Sequence, residues 1–296
     1  MLVEGDPVAT GTVRVRGQRI AWQEFGAGDG VVLLMPTWCI VHTDFWRHQV
    51  PWLSQRYRVL AFDELGNGAS DRPTDPEHYG DLLVADEAVA VLDACAVEHA
   101  AVMGVSQGGP WALALAVRHP DRVNAAVFIA PNAPLAAEHA ECVAADERFN
   151  DVHASHDGWS KWNRHYWLSN FHDFLRFFFS QCFTEPDSQE QIDHFFDMGA
   201  QTTPEALLAS LGTDANQLTA ELASSYARRV RCPSLVIHGD QDAITPLARG
   251  EELARLAGSE LIVMAGSGHE PQCRNHEVVN AHINSFLETA NVRRHP

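Results

Sequence analysis

The chain has 296 residues, 46% of them hydrophobic and 20% charged, which is typical of one globular catalytic domain with at most an inserted subdomain. Its 39 acidic and 21 basic residues give a formal net charge of −18, which argues against nucleic-acid and membrane-surface partners. The sequence shows no signal peptide, no membrane-length apolar run and no Cys-x-x-Cys pair among its six cysteines. We therefore expect a cytoplasmic protein with reduced thiols and no metal site. A homodimer is left open.

The chain begins with a pattern that predicts an antiparallel hairpin, because two alternating segments, Thr12–Arg16 and Arg19–Phe25, flank Gly17-Gln18. Short apolar runs then alternate with helix-like stretches. Uninterrupted apolar strands are buried on both faces, so the alternation predicts an α/β fold with a doubly wound, mostly parallel sheet. The expected strands are Val31–Met35, Tyr57–Phe62, Ala100–Val105, Val123–Ile129, Ser234–His238 and Leu261–Met264, and the expected helices are Phe45–Gln55, Leu82–Ala96, Gly109–His119, Leu247–Leu256 and Val278–Thr289.

One region breaks the alternation. Residues 132–227 contain no clear buried strand, and nine of the fourteen phenylalanines lie between Phe149 and Phe196. We expect a helical cap at 132–227, inserted into a core formed by 1–131 and 228–296. Most of these aromatic residues serve packing, but the group is larger than a small cap needs, so some are expected to line a pocket.

The segment Gly104-Val105-Ser106-Gln107-Gly108 stands between a predicted strand and a predicted helix. Gly-x-Ser-x-Gly in this context is the nucleophile elbow, a strained turn that needs small residues on either side of the serine. We therefore assign Ser106 as the nucleophile. The N–H of Gln107, at the start of the helix, is the expected first oxyanion donor.

A serine nucleophile needs a base, and the base needs an acid that orients it. Two acids, Asp240 and Asp242, follow the strand Ser234–His238. We favour Asp242, because the spacing resembles the form Gly-x-x-Asp-x-x-x-Pro, and we expect Asp240 to bond to local backbone. His269, in a glycine-rich loop 27 positions after Asp242, is the expected base.

The second oxyanion donor is expected in the loop Pro36-Thr37-Trp38-Cys39, where the usual His-Gly pair is absent. Either Thr37 or Trp38 can offer its N–H, and we favour Trp38. In the cap, Trp162 and Tyr166 stand four residues apart, on one helical face, which Phe171, Phe174 and Phe178 continue. The residues expected to contact substrate are Thr37, His42, Trp162, Tyr166 and Phe178.

From the first hairpin to the last helix, the chain resembles serine hydrolases of the α/β-hydrolase superfamily. More narrowly, Pro36-Thr-Trp and the runs that start at Trp162 and Phe177 resemble actinobacterial hydrolase domains that are often fused to class III adenylate cyclases. The resemblance implies esterase-like activity on short or aromatic acyl esters. One departure is Leu65, which stands where the family has arginine in Asp-x-Arg-Gly-x-Gly-x-Ser.

These residues predict a serine esterase or lactonase that acts on small, neutral, hydrophobic substrates through an acyl-enzyme, with neither a metal nor an organic cofactor. The same triad also serves carbon–carbon bond hydrolysis and biosynthetic lyase or cyclase steps. A third reading is a ligand-binding or regulatory module whose triad is slow.

Overall fold

A computed structural model describes residues 6–290 and 292, and within that range eight strands form a single sheet. The order across the sheet is first, second, fourth, third, and then fifth to eighth. The first two strands pair antiparallel, the second and fourth also pair antiparallel, and all other neighbours are parallel. The predicted α/β class with a mostly parallel sheet is confirmed. The strands are β1 (Ala9–Val15), β2 (Gln18–Phe25), β3 (Gly30–Leu34), β4 (Tyr57–Phe62), β5 (Ala100–Val105), β6 (Val123–Ile129), β7 (Ser234–Gly239) and β8 (Glu260–Met264).

Both faces of the sheet are covered. Along β3, Val32 and Leu34 belong to one hydrophobic cluster, and Leu33 belongs to the cluster on the opposite face. This alternation explains why the central strands are apolar at most positions, since neither face meets water. The α-helices are α1 (Val50–Leu53), α2 (Asp81–Ala94), α3 (Gly108–Arg118), α4 (Ala140–Glu147), α5 (Arg164–Cys182), α6 (Gln189–Gly199), α7 (Pro204–Ala209), α8 (Ala220–Ala227), α9 (Leu247–Ala257), α10 (Pro271–Arg274) and α11 (His276–Thr289).

The expected helix at Phe45–Gln55 is wrong in its extent. The chain instead forms a short 3-10 helix, Thr43–Trp46, and then the single turn of α1. Pro51 is the cause, because it has no N–H to bond to a preceding turn and is accommodated only in the first turn of a helix. The break leaves Phe45 and Trp46 buried under the sheet.

The long segment between β6 and β7, all of it described, contains helices α4 to α8 and no strand. Its aromatic side chains Trp167, Phe174 and Phe179 are buried in the same cluster as one face of the sheet. Helix α8 packs against α3, so the end of this segment also covers the sheet. The division into a core and a cap at 132–227 therefore stays a prediction.

The loops that follow β3, β5, β7 and β8 leave the sheet at the carboxyl ends of parallel strands, and these ends share one edge. In open α/β sheets this edge is where ligands bind. Within the described part of the chain, no helix is both long enough and apolar enough to cross a bilayer.

Candidate active site

Ser106 lies on a sharp turn between β5 and α3. Its φ of 52° is in the left-handed region, which is strained for a residue with a side chain. The glycines on either side permit the turn: a Cβ on Gly104 would lie 2.1 Å from the carbonyl oxygen of Gly108, and a Cβ on Gly108 would lie 2.4 Å from that of Pro36. Strand, helix and the loop after β3 therefore converge on a half-buried serine.

The predicted acid and base are brought together. His269 Nδ1 lies 2.8 Å from Asp242 Oδ2, and the two residues are only 2% and 6% exposed. The other carboxylate oxygen, Oδ1, accepts the N–H groups of Ile244 and Thr245, both at 2.8 Å. These bonds fix the carboxylate and leave Nε2 of His269 free to act as a base.

Asp240 has a different role in the structure. It is exposed, and its Oδ1 accepts the N–H of Gly266 at 2.7 Å, which ties together the loops after β7 and β8. It makes no contact with His269 among the described hydrogen bonds. The geometry therefore pairs the histidine with Asp242.

Electrostatics in the pair favour the charged carboxylate. Burial tends to lower the pKa of His269, but the neighbouring Asp242 carboxylate outweighs it and the pKa is raised above the usual value. Burial tends to raise the pKa of Asp242, but His269 and His238 outweigh it and the pKa is lowered. Asp242 thus stays ionised, and His269 is a stronger base than a free imidazole.

Two further histidines surround Asp242. His238, fully buried at the end of β7, has Nε2 at 3.2 Å from Asp242 Oδ2 and 3.0 Å from the carbonyl oxygen of Thr245. His139 Nε2 lies 3.0 Å from the backbone oxygen of Asp242. Neither histidine was predicted from the sequence. Only His238 could have been noticed in the sequence, because it is a polar residue at the end of the apolar run Leu235–Ile237.

Among the described contacts, Ser106 Oγ makes no hydrogen bond to His269. The acid–base half of the triad is therefore formed, while the contact between nucleophile and base is not. Such contacts commonly tighten when substrate is bound.

The long segment between β6 and β7 also holds His269. The N–H of His269 donates to the carbonyl oxygen of Cys182 at 3.0 Å, at the end of α5. Glu185 Oε1 accepts the N–H of Gly268 at 2.8 Å. The position of His269 therefore depends on this segment as well as on its own loop, a link that the sequence pattern did not reveal.

Two stretches of backbone offer candidate oxyanion donors. The N–H of Gln107 lies at the start of α3, and the side chain is tied to Asp81 Oδ1 at 2.5 Å and to Asn132 Nδ2 at 3.0 Å. In the loop after β3, neither Thr37 nor Trp38 donates its backbone N–H to another described residue. Both remain candidates for the second donor, and the preference for Trp38 stays a prediction.

A cavity of about 330 Å³ opens onto Ser106 and Gln107. One part of its wall is aromatic, and the rings pack closely: Trp38 and Trp162 have centroids 5.5 Å apart, and Trp38 and Phe178 have centroids 5.6 Å apart. Asp242 and His269 are buried and do not line it. The aromatic lining residues are Trp38, Trp111, Trp159, Trp162 and Phe178, and the acidic ones are Glu64, Asp81, Glu138 and Asp146.

Trp162 and Phe178, expected to contact substrate, do line the cavity, but the other three residues do not. Thr37 is buried within its loop, and the next ring, Trp38, reaches the cavity instead. His42 caps the 3-10 helix, accepting the N–H of Asp44 at Nδ1 at 3.4 Å, and borders a separate surface hollow.

Tyr166 is the third residue that the structure places elsewhere. Its hydroxyl donates to Asp173 at 2.6 Å, and its ring stacks on His156. The reason is that Trp162 precedes α5, whose N-cap Asn163 is extended, so Trp162 and Tyr166 do not share a helical face. A kink at Asn170, where φ is −140° and ψ is 44°, then separates Tyr166 from the later phenylalanines. Trp159, Trp111 and the carboxylates of the lining were missed by the sequence analysis.

The described residues contain no group of three His, Cys, Asp or Glu side chains arranged to hold a metal ion. All six cysteines lie in this part of the chain, and none forms a disulfide.

Residues 30–275 match the family described as the alpha/beta hydrolase fold, and the chain belongs to that family. It is 32% identical over 248 residues to a 2-hydroxymuconate semialdehyde hydrolase of a Pseudomonas species, covering 83% of this chain and 81% of the relative. It is also 32% identical over 247 residues to the pimeloyl-[acyl-carrier protein] methyl ester esterase of Neisseria meningitidis, covering 81% of this chain and 86% of the relative.

Among solved structures, a putative aryl esterase from Burkholderia cenocepacia superposes with a TM-score of 0.77 at 21% identity, covering 96% of this chain and all of that chain. This likeness concerns the fold. Together the comparisons identify the chain as a hydrolase of the α/β family, with esterases, lactonases and carbon–carbon bond hydrolases among its relatives. The narrower resemblance to hydrolase domains fused to adenylate cyclases stays a prediction.

Proposed function

We propose that the protein is a serine hydrolase that cleaves carboxylic esters or lactones through an acyl-enzyme. The observation that carries the proposal is Ser106 on its strained turn at the cavity, and the buried hydrogen bond between His269 and Asp242 supports it. Relatives named as a methyl ester esterase and an enol-lactonase support this chemistry.

In the acylation step, Ser106 Oγ attacks the carbonyl carbon while His269 Nε2 takes the hydroxyl proton. The N–H of Gln107 and one N–H from the Pro36–Trp38 loop hold the negative oxygen of the tetrahedral intermediate. The imidazolium then gives its proton to the departing alkoxide, and the alcohol leaves. In a lactone, this alcohol stays attached to the acyl group.

In the deacylation step, a water molecule gives a proton to His269 and attacks the acyl carbonyl. Collapse of the second tetrahedral intermediate returns the proton to Ser106 and releases the carboxylic acid. Asp242 stays ionised throughout and stabilises the imidazolium in both steps, consistent with its lowered pKa. No step of this route requires a cofactor.

The cavity supports a substrate with a hydrophobic part. Trp159, Trp162 and Phe178 offer apolar surface, and a water-poor wall strengthens the oxyanion contacts. The carboxylates in the same lining repel anionic substrates. The neutral, hydrophobic substrate expected from the sequence is supported in its hydrophobic character and in its lack of negative charge.

Carbon–carbon bond hydrolysis is the second candidate, and the Pseudomonas relative favours it. A muconate is a carboxylate, and an anionic substrate needs a cation or several donors in its site. No lysine, arginine or histidine is found among the described residues that line the cavity. This lining favours the ester or lactone reaction over cleavage of an anionic substrate.

The test is a panel of aryl esters, lactones and β-diketones, assayed with the wild-type protein, Ser106→Ala and Ser225→Ala. Ser225 is an exposed serine on α8 and provides a matched control. We expect ester or lactone turnover that is lost in Ser106→Ala and kept in Ser225→Ala. Turnover of β-diketones alone would transfer the proposal to carbon–carbon cleavage. The absence of turnover with the whole panel would favour the binding module.

A further inference from the structure

The charge of the cavity lining is not balanced. Of its four carboxylates, only Glu138 has an ion-pair partner, Arg249, at 2.8 Å. Asp81 is buried and accepts neutral donors, namely Gln107 Nε2, Trp111 Nε1 at 2.8 Å and the N–H of Leu218 at 2.7 Å. Asp146 accepts the indole N–H of Trp162 at 2.6 Å. The lining therefore holds several hydrogen-bond acceptors, and no positively charged side chain of the described residues lines the cavity beside them.

Glu64 shows this lack of a positively charged partner most clearly. It is 4% exposed, it lines the cavity, and its Oε2 is buried without a hydrogen-bond partner. No described lysine, arginine or histidine forms an ion pair with it. Burial raises its pKa well above the usual range, and the neighbouring Glu87 and Asp81 raise it further. The raised pKa favours the neutral acid in the free protein, whereas a cation bound beside the group favours the carboxylate. In either form, a buried polar group without a partner is costly.

The neighbouring Glu87 also has a buried Oε2 without a hydrogen-bond partner, but its Oε1 pairs with Arg16. Glu64 has no such ion pair with a described residue, and it lies in the wall of the cavity, beside the space that a substrate would occupy.

The aromatic walls add a second attraction for positive charge. The indole N–H groups of Trp38, Trp111 and Trp162 already donate to Ser210, Asp81 and Asp146. What these rings offer to the cavity is therefore apolar and π-electron surface. Such surface attracts cations, and desolvation strengthens the attraction.

We propose that the substrate is an ester or lactone that carries a positively charged ammonium group, held between the Glu64 carboxylate and the aromatic wall. The inference rests on the proposed hydrolase function and replaces the neutral substrate expected from the sequence. Asp146 supplies a further acceptor at the exposed side of the cavity.

The experiment compares esters that differ only in charge. In the acyl pair, the 4-nitrophenyl ester of 4-(trimethylammonio)butanoate is compared with that of 5,5-dimethylhexanoate, in which carbon replaces the nitrogen. In the alcohol pair, acetylthiocholine is compared with S-(3,3-dimethylbutyl) thioacetate. We expect kcat/KM for the cationic member to be at least about tenfold higher in one of the pairs.

Two variants test whether Glu64 causes the preference for the cationic ester. Glu64→Gln keeps the shape of the side chain and should lower the cationic-to-neutral ratio by at least about threefold. Glu252→Gln removes the same unit of charge from an exposed ion pair on α9 and should leave the ratio unchanged. If Glu64→Gln does not fold, Asp146→Asn provides the second test, because its amide oxygen can still accept the Trp162 N–H.

A ratio near one in both pairs, with the neutral esters hydrolysed, would overturn the inference and leave the proposed hydrolysis intact. A ratio that Glu64→Gln and Glu252→Gln lower equally would assign the preference to overall charge and also overturn it. Failure of all four esters together with failure of Ser106 to react with a fluorophosphonate would instead overturn the proposed function.

Discussion

Asp242→Asn is the substitution whose effect follows most directly from the geometry. The two N–H groups of Ile244 and Thr245 each donate to Oδ1 at 2.8 Å. In the variant they will hold the amide oxygen at that position, so the amide NH₂ must take the place of Oδ2 and face His269 Nδ1. Because Nδ1 must then accept a hydrogen bond, the ring proton moves to Nε2.

A His269 ring protonated at Nε2 cannot take the proton of Ser106, and the stabilisation of the imidazolium by a carboxylate 2.8 Å away is also lost. For triads built in this way, we expect kcat/KM to fall by about 10³- to 10⁴-fold. That corresponds to about 4–5.5 kcal/mol of transition-state stabilisation, at roughly 1.4 kcal/mol for each factor of ten.

The assay is kcat/KM for an aryl ester, measured for wild type, Asp242→Asn and the matched control Asp240→Asn, with thermal unfolding checked for each. Asp240 is exposed and bonds only to neighbouring loop groups, so its variant should stay within about fivefold of wild type. Equal losses in the two variants, or a larger loss in Asp240→Asn, would refute the assignment of the acid.

The pH–rate profile should show one acid limb, where activity falls as His269 is protonated. Its apparent pKa should lie above that of free imidazole, because the Asp242 carboxylate raises the pKa of His269. A flat profile from about pH 5 to pH 9 would contradict this. Trp162→Ala should lower kcat/KM for aryl esters by about 1–3 kcal/mol while a small fluorophosphonate still acylates Ser106; parallel losses in a stable variant would remove Trp162 from the substrate site. Gly104→Ala should lower stability by at least about 1–3 kcal/mol, measured by denaturant unfolding, because its Cβ would lie 2.1 Å from the Gly108 oxygen; wild-type stability with full activity would show that the elbow tolerates a side chain.

The fold, the turn at Ser106 and the pairing of His269 with Asp242 could be predicted because they depend on local patterns. The strands β4, β5 and β6 begin and end where their apolar runs do, since a parallel strand buried on both faces tolerates few polar residues. The elbow has a local motif too: Gly104 is required by the backbone of Gly108, four residues on, whereas Gly108 is required by Pro36 in the loop after β3.

The residues that line the cavity could not be predicted from local patterns. Glu64, Asp81 and Trp159 come from three separate segments, and only the tertiary structure brings them into the cavity that Ser106 also lines. Tyr166 was misplaced because helical periodicity was applied from Trp162 onward, whereas α5 begins at Arg164, after the extended N-cap Asn163. The link from Cys182 to the His269 backbone joins residues far apart in the chain.

The most direct test of the central claim is to react the protein with a fluorophosphonate and locate the adduct by mass spectrometry while turnover of an ester is followed. We expect one adduct per chain, on Ser106, with activity lost in proportion to its formation and no adduct in Ser106→Ala. An adduct on another residue, or full ester turnover by protein completely modified at Ser106, would contradict the assignment of Ser106 as the nucleophile.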